Sequence, residues 1–262
     1  MSCATASPDP CTLLPREIQP LVWRADAQAR AALQGHAGVW PSGHAALDAE
    51  LPGGGWPAAG LTELLQPAHA HAEWSLLALA LSQALRRQAG PCVLVRPAPP
   101  PAMPGLVPFA PGLQALGLPP ERLLWVNAPQ ADTALWACEQ ALQCADTVAV
   151  LAWLDCARSD DLRRLHRIAS IHHKPLFVMR GDAQAVQPSP APLRVQLLQV
   201  WPLRVRVLKR RGTPSTRALD LLRNDSRLGL RRQPAPVALP ARPPQVRRLP
   251  GARDALDRPV AA

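Results

Sequence analysis

His69, His71 and Glu73 crowd together directly after a short apolar stretch, Leu61 to Leu65, which itself follows a turn built on Gly53, Gly54 and Gly55. A strand, a glycine-rich loop and a helix are the parts that cradle a nucleotide's phosphates. The glycines bring amides close, a lysine meets the terminal phosphates, and a Ser/Thr hydroxyl holds magnesium. The segment Gln66 to Ser75 contains neither glycine nor lysine, and Ser75 is its nearest hydroxyl. Glu73 would add negative charge where phosphate charge should lie. His69 and His71 do not replace the missing cation, because histidine is mostly neutral near pH 7. The frame for phosphate binding is therefore present without its chemistry.

Metal binding is the other use of such residues. The pairs His69/His71 and His172/His173 have no cysteine or acid at ligand spacing, apart from Glu73 beside the first pair. They read as polar loop and helix-end residues rather than as a zinc site. The six cysteines, at 3, 11, 92, 138, 144 and 156, form no CxxC pair and read as buried free thiols in a reducing compartment. No GxSxG nucleophile elbow is present.

Charge provides the best binding candidate. The chain carries a formal net charge of +10. From Arg204 onward there are fifteen Lys/Arg against four Asp, so the last quarter holds all the excess. Arg204, Arg206, Lys209, Arg210 and Arg211 form a positive run in which 204 and 206 share one face of a strand. Such an array can follow a phosphate backbone or an acidic protein surface. It can equally be a solvated edge kept basic against sheet-to-sheet aggregation. Of the eight tryptophans, Trp74, Trp136 and Trp153 fall in expected core elements. Trp23, Trp40, Trp56 and Trp201 lie near element ends, where exposed ones would be contact anchors.

The elements that must position these residues alternate in type. Strands are expected at Leu61–Leu65, Pro91–Val95, Leu123–Val126, Thr147–Leu154 and Leu176–Met179. Helices are expected at Glu73–Arg87, from a cap at Asp132 or Thr133 through Cys144, and at Asp160–Ile171 after a Ser159 cap. Prolines make Pro97–Pro111 an irregular loop, with a short helical turn at Leu113–Leu116. Leu193–Val200 and Leu203–Leu208 alternate apolar and polar residues around Trp201-Pro202, as an antiparallel hairpin on the sheet edge would. The pattern predicts an α/β fold, a mostly parallel sheet flanked by helices. Residues 1–15 read as a disordered leader, 16–34 as a helix, 35–211 as the core and 212–262 as a basic, Pro/Arg-rich disordered tail. No apolar run approaches the ~20 residues of a membrane span, and no secretory signal opens the chain, so a cytoplasmic protein is expected.

The run PSGHAALDAELPGGGWPAAGLTELL, at 41–65, is similar to the opening of the RecA-type ATPase core. LPGGGWP followed by TELL is closer still to ImuA, the RecA/SulA-related accessory family of bacterial mutagenic translesion synthesis. LGLPPERLLWV (116–126), ALWACEQAL (134–142), VLAWL (150–154), RRLHRIAS (163–170) and PSPAPLRVQLL (188–198) extend the resemblance across residues 16 to 211. The resemblance implies a RecA-like core in which the acidic magnesium partner should end the strand through Leu154. That strand closes Ala152-Trp153-Leu154, with Asp155 just beyond, as either a residual metal ligand or a solvated loop carboxylate. The expected base falls among Arg96 to Pro101, where no carboxylate exists. Asp48 would brace the approach loop.

By the resemblance, the chain is a non-catalytic adaptor of a damage-induced mutasome and takes no cofactor. Its partners would be a Y-family-like protein of ImuB type, an error-prone DnaE-type polymerase, the sliding clamp, the RecA filament and DNA. Two rivals share the core: a divergent DNA-stimulated ATPase and a SulA-like cell-division inhibitor.

Overall fold

The computed structural model describes residues 38–67, 70–97, 109–212 and 217–221. The expected leader, the helix at 16–34, His69 and most of the tail lie outside them. The element order is β1 (Val39–Trp40), α1 (Ala45–Asp48), β2 (Trp56–Pro57), β3 (Gly60–Gln66), α2 (Glu73–Arg87), β4 (Cys92–Pro97), α3 (Ala110–Ala115), β5 (Leu123–Ala128), α4 (Ala131–Gln143), β6 (Ala149–Trp153), α5 (Ser159–Ile171), β7 (Pro175–Gly181), β8 (Leu193–Gln199), β9 (Leu203–Lys209) and β10 (Ala218–Leu221). Eight strands form one sheet in the order β10-β9-β8-β3-β7-β6-β4-β5. β3 to β8 run parallel, while β9 and β10 join by antiparallel pairing. This is the mixed α/β architecture the alternation predicts.

Apolar runs make these strands because both faces of the sheet are covered. On one face Leu64, Leu94, Leu151 and Phe177 pack with Leu77 and Leu81 of α2. On the other, Leu61, Val93, Val150 and Val178 pack with Leu135 and Leu142 of α4 and Leu162 and Leu165 of α5. Burying one leucine-sized side chain contributes about 1.5–3 kcal/mol, so these two layers hold the molecule together. Trp56, fully buried, meets Phe177 edge-on with ring centroids 6.0 Å apart. The loop before it is braced as expected, since Asp48 accepts the Ser42 amide at 2.8 Å. Gly53 and Gly54 adopt positive φ in that turn.

Several expectations need correction. The segment after residue 212 contains a strand: β10 pairs with β9 and carries the sheet edge, so the β8–β9 hairpin lies inside the sheet. Leu219 and Leu221 supply the burial that makes it a strand. The helix expected after an Asp132 or Thr133 cap begins earlier, at Ala131, with Gln130 preceding it and no side-chain cap. The Pro97–Pro111 loop ends sooner than its prolines imply, because Pro111 occupies the first turn of α3, where a missing amide costs nothing. The helix at 159–171 includes Ser159; Asp161 reaches back to the Arg158 amide at 3.0 Å. Trp136 projects into solvent at 61% exposure instead of packing.

Candidate functional site: a cleft at the carboxyl ends of the strands

The connection from β3 to β4 passes over β7 and β6, and ligands of open α/β sheets bind outside the carboxyl ends at such a switch. A cleft of about 960 Å³ opens there, between the ends of β3, β4, β6 and β7. Its floor is apolar, from Pro67, Pro97, Trp153 and Met179, and its rim carries Asp132, Asp155 and Arg158.

The loop between β3 and α2 bonds to itself beside this cleft. Gln66 ends β3 and turns its side chain back: Nε2 donates to Glu73 Oε2 at 2.8 Å, and Oε1 accepts the Ala72 amide at 3.2 Å. Glu73 is buried in the first turn of α2. A helix N-terminus attracts anions, and here that end is already occupied by a carboxylate. His71, held at φ 44°, places Nδ1 3.5 Å from Glu73 Oε1. Ser75 is exposed one turn further on. Gln66, His71 and Glu73 thus make an acid-centred turn, and Ser75 lies outside it. The strand end where an acid is expected carries Trp153 and Leu154, and Asp155 is engaged structurally, its Oδ1 accepting the Gly181 amide at 2.7 Å.

Behind the cleft lies an ion cluster that single-residue inspection of the sequence does not single out. Glu63 is fully buried on β3, with Arg180 Nη1 at 2.8 Å and Arg194 Nε at 2.6 Å. Arg180 also donates to the carbonyls of Asp155 and Ala157, and Arg194 to those of Gln184 and Gln187. The signal was a charge inside an apolar strand, LTELL, since a buried charge demands a partner. Glu63 and Arg194 belong to two of the stretches that carry the sequence resemblance, and the fold brings them into contact. Among the described residues no group of three His, Cys, Asp or Glu could hold a metal ion.

The basic run is only partly a surface array. Arg204 makes two hydrogen bonds with Asp220 on β10, at 2.6 and 3.0 Å, which raise the Arg204 pKa and lower that of Asp220. Lys209 Nζ donates to the Ser189 carbonyl at 2.7 Å. Arg210 binds Glu50 at 2.7 Å, tying β9 to the loop after α1. Arg206 is half-buried, while Arg211 is exposed. Lys209 and Arg211 bear on His166 of α5, whose Nδ1 accepts the Leu61 amide at 3.1 Å; burial first, and then these two charges, lower its pKa.

Two cysteines depart from the buried reading. Burial pushes Cys92 and Cys138 up to about 12, whereas Cys144 and Cys156 are exposed. Cys144 is lowered by hydrogen bonds from the Asp146 amide and the Thr147 side chain. No helix among the described residues is long and apolar enough to cross a membrane.

No protein-family model matches the chain, and no curated protein matches it. Among solved structures it is similar to SulA from Pseudomonas aeruginosa, at 24% identity over 46% of this chain and 97% of that one, with a TM-score of 0.35. A likeness of that degree assigns no activity. The fold and cleft define a mixed α/β protein whose β3–α2 loop bonds to itself at the carboxyl end of the sheet.

Proposed function

We propose that this chain is a non-hydrolysing adaptor of RecA-like form in the damage-induced mutagenic translesion DNA synthesis machinery. The observation that carries the reading is Glu73, buried at the N-terminus of α2 and bonded to Gln66 where a phosphate would need amides and a cation. A domain that keeps its sheet but loses that chemistry keeps surfaces, and an adaptor acts through surfaces. The motif resemblance to ImuA supports the setting, with a Y-family-like partner, a DnaE-type polymerase, the sliding clamp, RecA and DNA as its contacts. Arg211 and the chain beyond Leu221 are the cationic contact region, because Arg204, Lys209 and Arg210 are committed within the fold.

Titration calorimetry with Mg-ATP tests the central point. No saturable heat is expected at millimolar nucleotide; a fitted, stoichiometric site would overturn the reading and favour the ATPase rival. Affinity purification after DNA damage tests the setting. Polymerase subunits should co-purify with the full chain and be reduced when residues 222–262 are removed. Truncation at Arg204 is unsuitable, since it deletes β9 and β10 from the sheet.

A further inference from the structure

We infer that the cleft at the carboxyl ends of β3, β4, β6 and β7 is a docking groove for a proline-rich, arginine-bearing strand, and that its occupant is this chain's own segment 231–250. The groove has the parts such a ligand needs. Pro67, Pro97, Met179 and Trp153 give an apolar floor. Trp153 stacks on Trp125 at 6.0 Å and 16° and touches Trp74 at 6.5 Å, so its ring is held rigid.

An apolar floor that includes an aromatic ring suits a polyproline II strand. Proline has no amide hydrogen, so such a strand presents carbonyl acceptors and little else. Aromatic grooves with an acidic neighbour recognise PxxP segments that carry a basic residue. Segment 231–250, RRQPAPVALPARPPQVRRLP, has six prolines and five arginines with no acid, and contains Pro240-Ala-Arg242-Pro243. Asp132, Asp155 and Asp161 outnumber Arg158, the one exposed arginine among the described lining residues, and supply the opposite charge.

Topology places this segment within reach. β10 is antiparallel to β9, which is antiparallel to β8, so β10 runs with the parallel strands and Leu221 ends at the cleft side of the sheet. β10 stands five strand spacings from β6, about 24 Å. The nine residues 222–230 span up to about 30 Å when extended.

The test places the photo-crosslinker p-benzoylphenylalanine at Cys156, an exposed cleft residue, in the full chain. Photolysis should give links to 231–250 within one molecule, at a yield independent of dilution. Links only between molecules, or none to that segment, would overturn the proposal. A second readout spares the cleft's packing: in Asp132→Lys, tryptic cleavage after Arg247 and Arg248 should run about tenfold faster than in the unaltered chain, and an equal rate counts against docking. Neither result bears on nucleotide titration or co-purification, so the proposed function stands or fails separately.

Discussion

Glu73 shows how one residue decides what the carboxyl end of the sheet can bind. Its carboxylate is buried and accepts the Gln66 amide, so Glu73→Ala leaves a buried donor without a partner. An unmet group of this kind costs about 1–3 kcal/mol. Chemical denaturation should show that loss, and nucleotide titration should show no gain in binding. His166 sets a pH dependence. Its neutral ring accepts the Leu61 amide, and burial together with Arg211 and Lys209 lowers its pKa in the fold. The unfolded chain therefore takes up the proton first. This contribution is complete above the unfolded value of about 6.5 and is lost as pH falls below it. Denaturation of the unaltered chain and His166→Gln should give a stability difference that shrinks from pH 7 to pH 5. A constant difference would show that the ring's charge state has no role.

At the scale of elements, the Glu63–Arg180–Arg194 cluster locks β7 and β8 on either side of β3. Removing the shared acid strands two buried guanidinium groups. Glu63→Ala should cost about 3–5 kcal/mol in denaturant unfolding, whereas replacing all three residues by apolar ones of similar volume should cost far less. Arg122 works on a helix end. It donates to the carbonyls of Leu85 at 2.9 Å and Gln88 at 2.6 Å, and also to Gly90, so it closes the C-terminus of α2. Arg122→Ala should lower stability by about 1–3 kcal/mol, and amide exchange should quicken first in the last turn of that helix. These contacts explain which elements the residue pattern made legible. α2 and the buried strands β4, β6 and β7 could be read from apolar runs alone, because both faces of each are covered. β10 could not, since Ala218–Leu221 has only Leu219 and Leu221 to mark it, and its place depends on an edge that β9 provides. Trp136 was misread because a tryptophan amid buried alanines shares their helix without sharing their face.

For the whole molecule, charge is divided between a nearly neutral body and a basic end, and the fold sharpens that division. Three of the five cations in the run 204–211 spend their charge or donors inside the domain and Arg206 is half-buried, so polyanion binding should rest on Arg211 and the chain beyond it. Binding to single-stranded DNA, if tested by anisotropy, should weaken steeply between 50 and 200 mM salt (a range in which phosphate contacts lose much of their strength). It should survive Arg204→Gln nearly unchanged and fall with removal of residues 222–262. Equal losses in both variants would place the contact on β9 instead.

The residues alone determined the order of strands and helices, because covering both faces of a sheet requires apolar runs that are local in the chain. They also determined that Gln66 to Ser75 holds no lysine, a deficit local folding cannot repair. Only the tertiary structure decided which charges are free. Glu63 meets Arg180 across 117 positions, and Arg204 meets Asp220 through β-sheet register. Ion pairing follows distance in space, and strand order sets that distance.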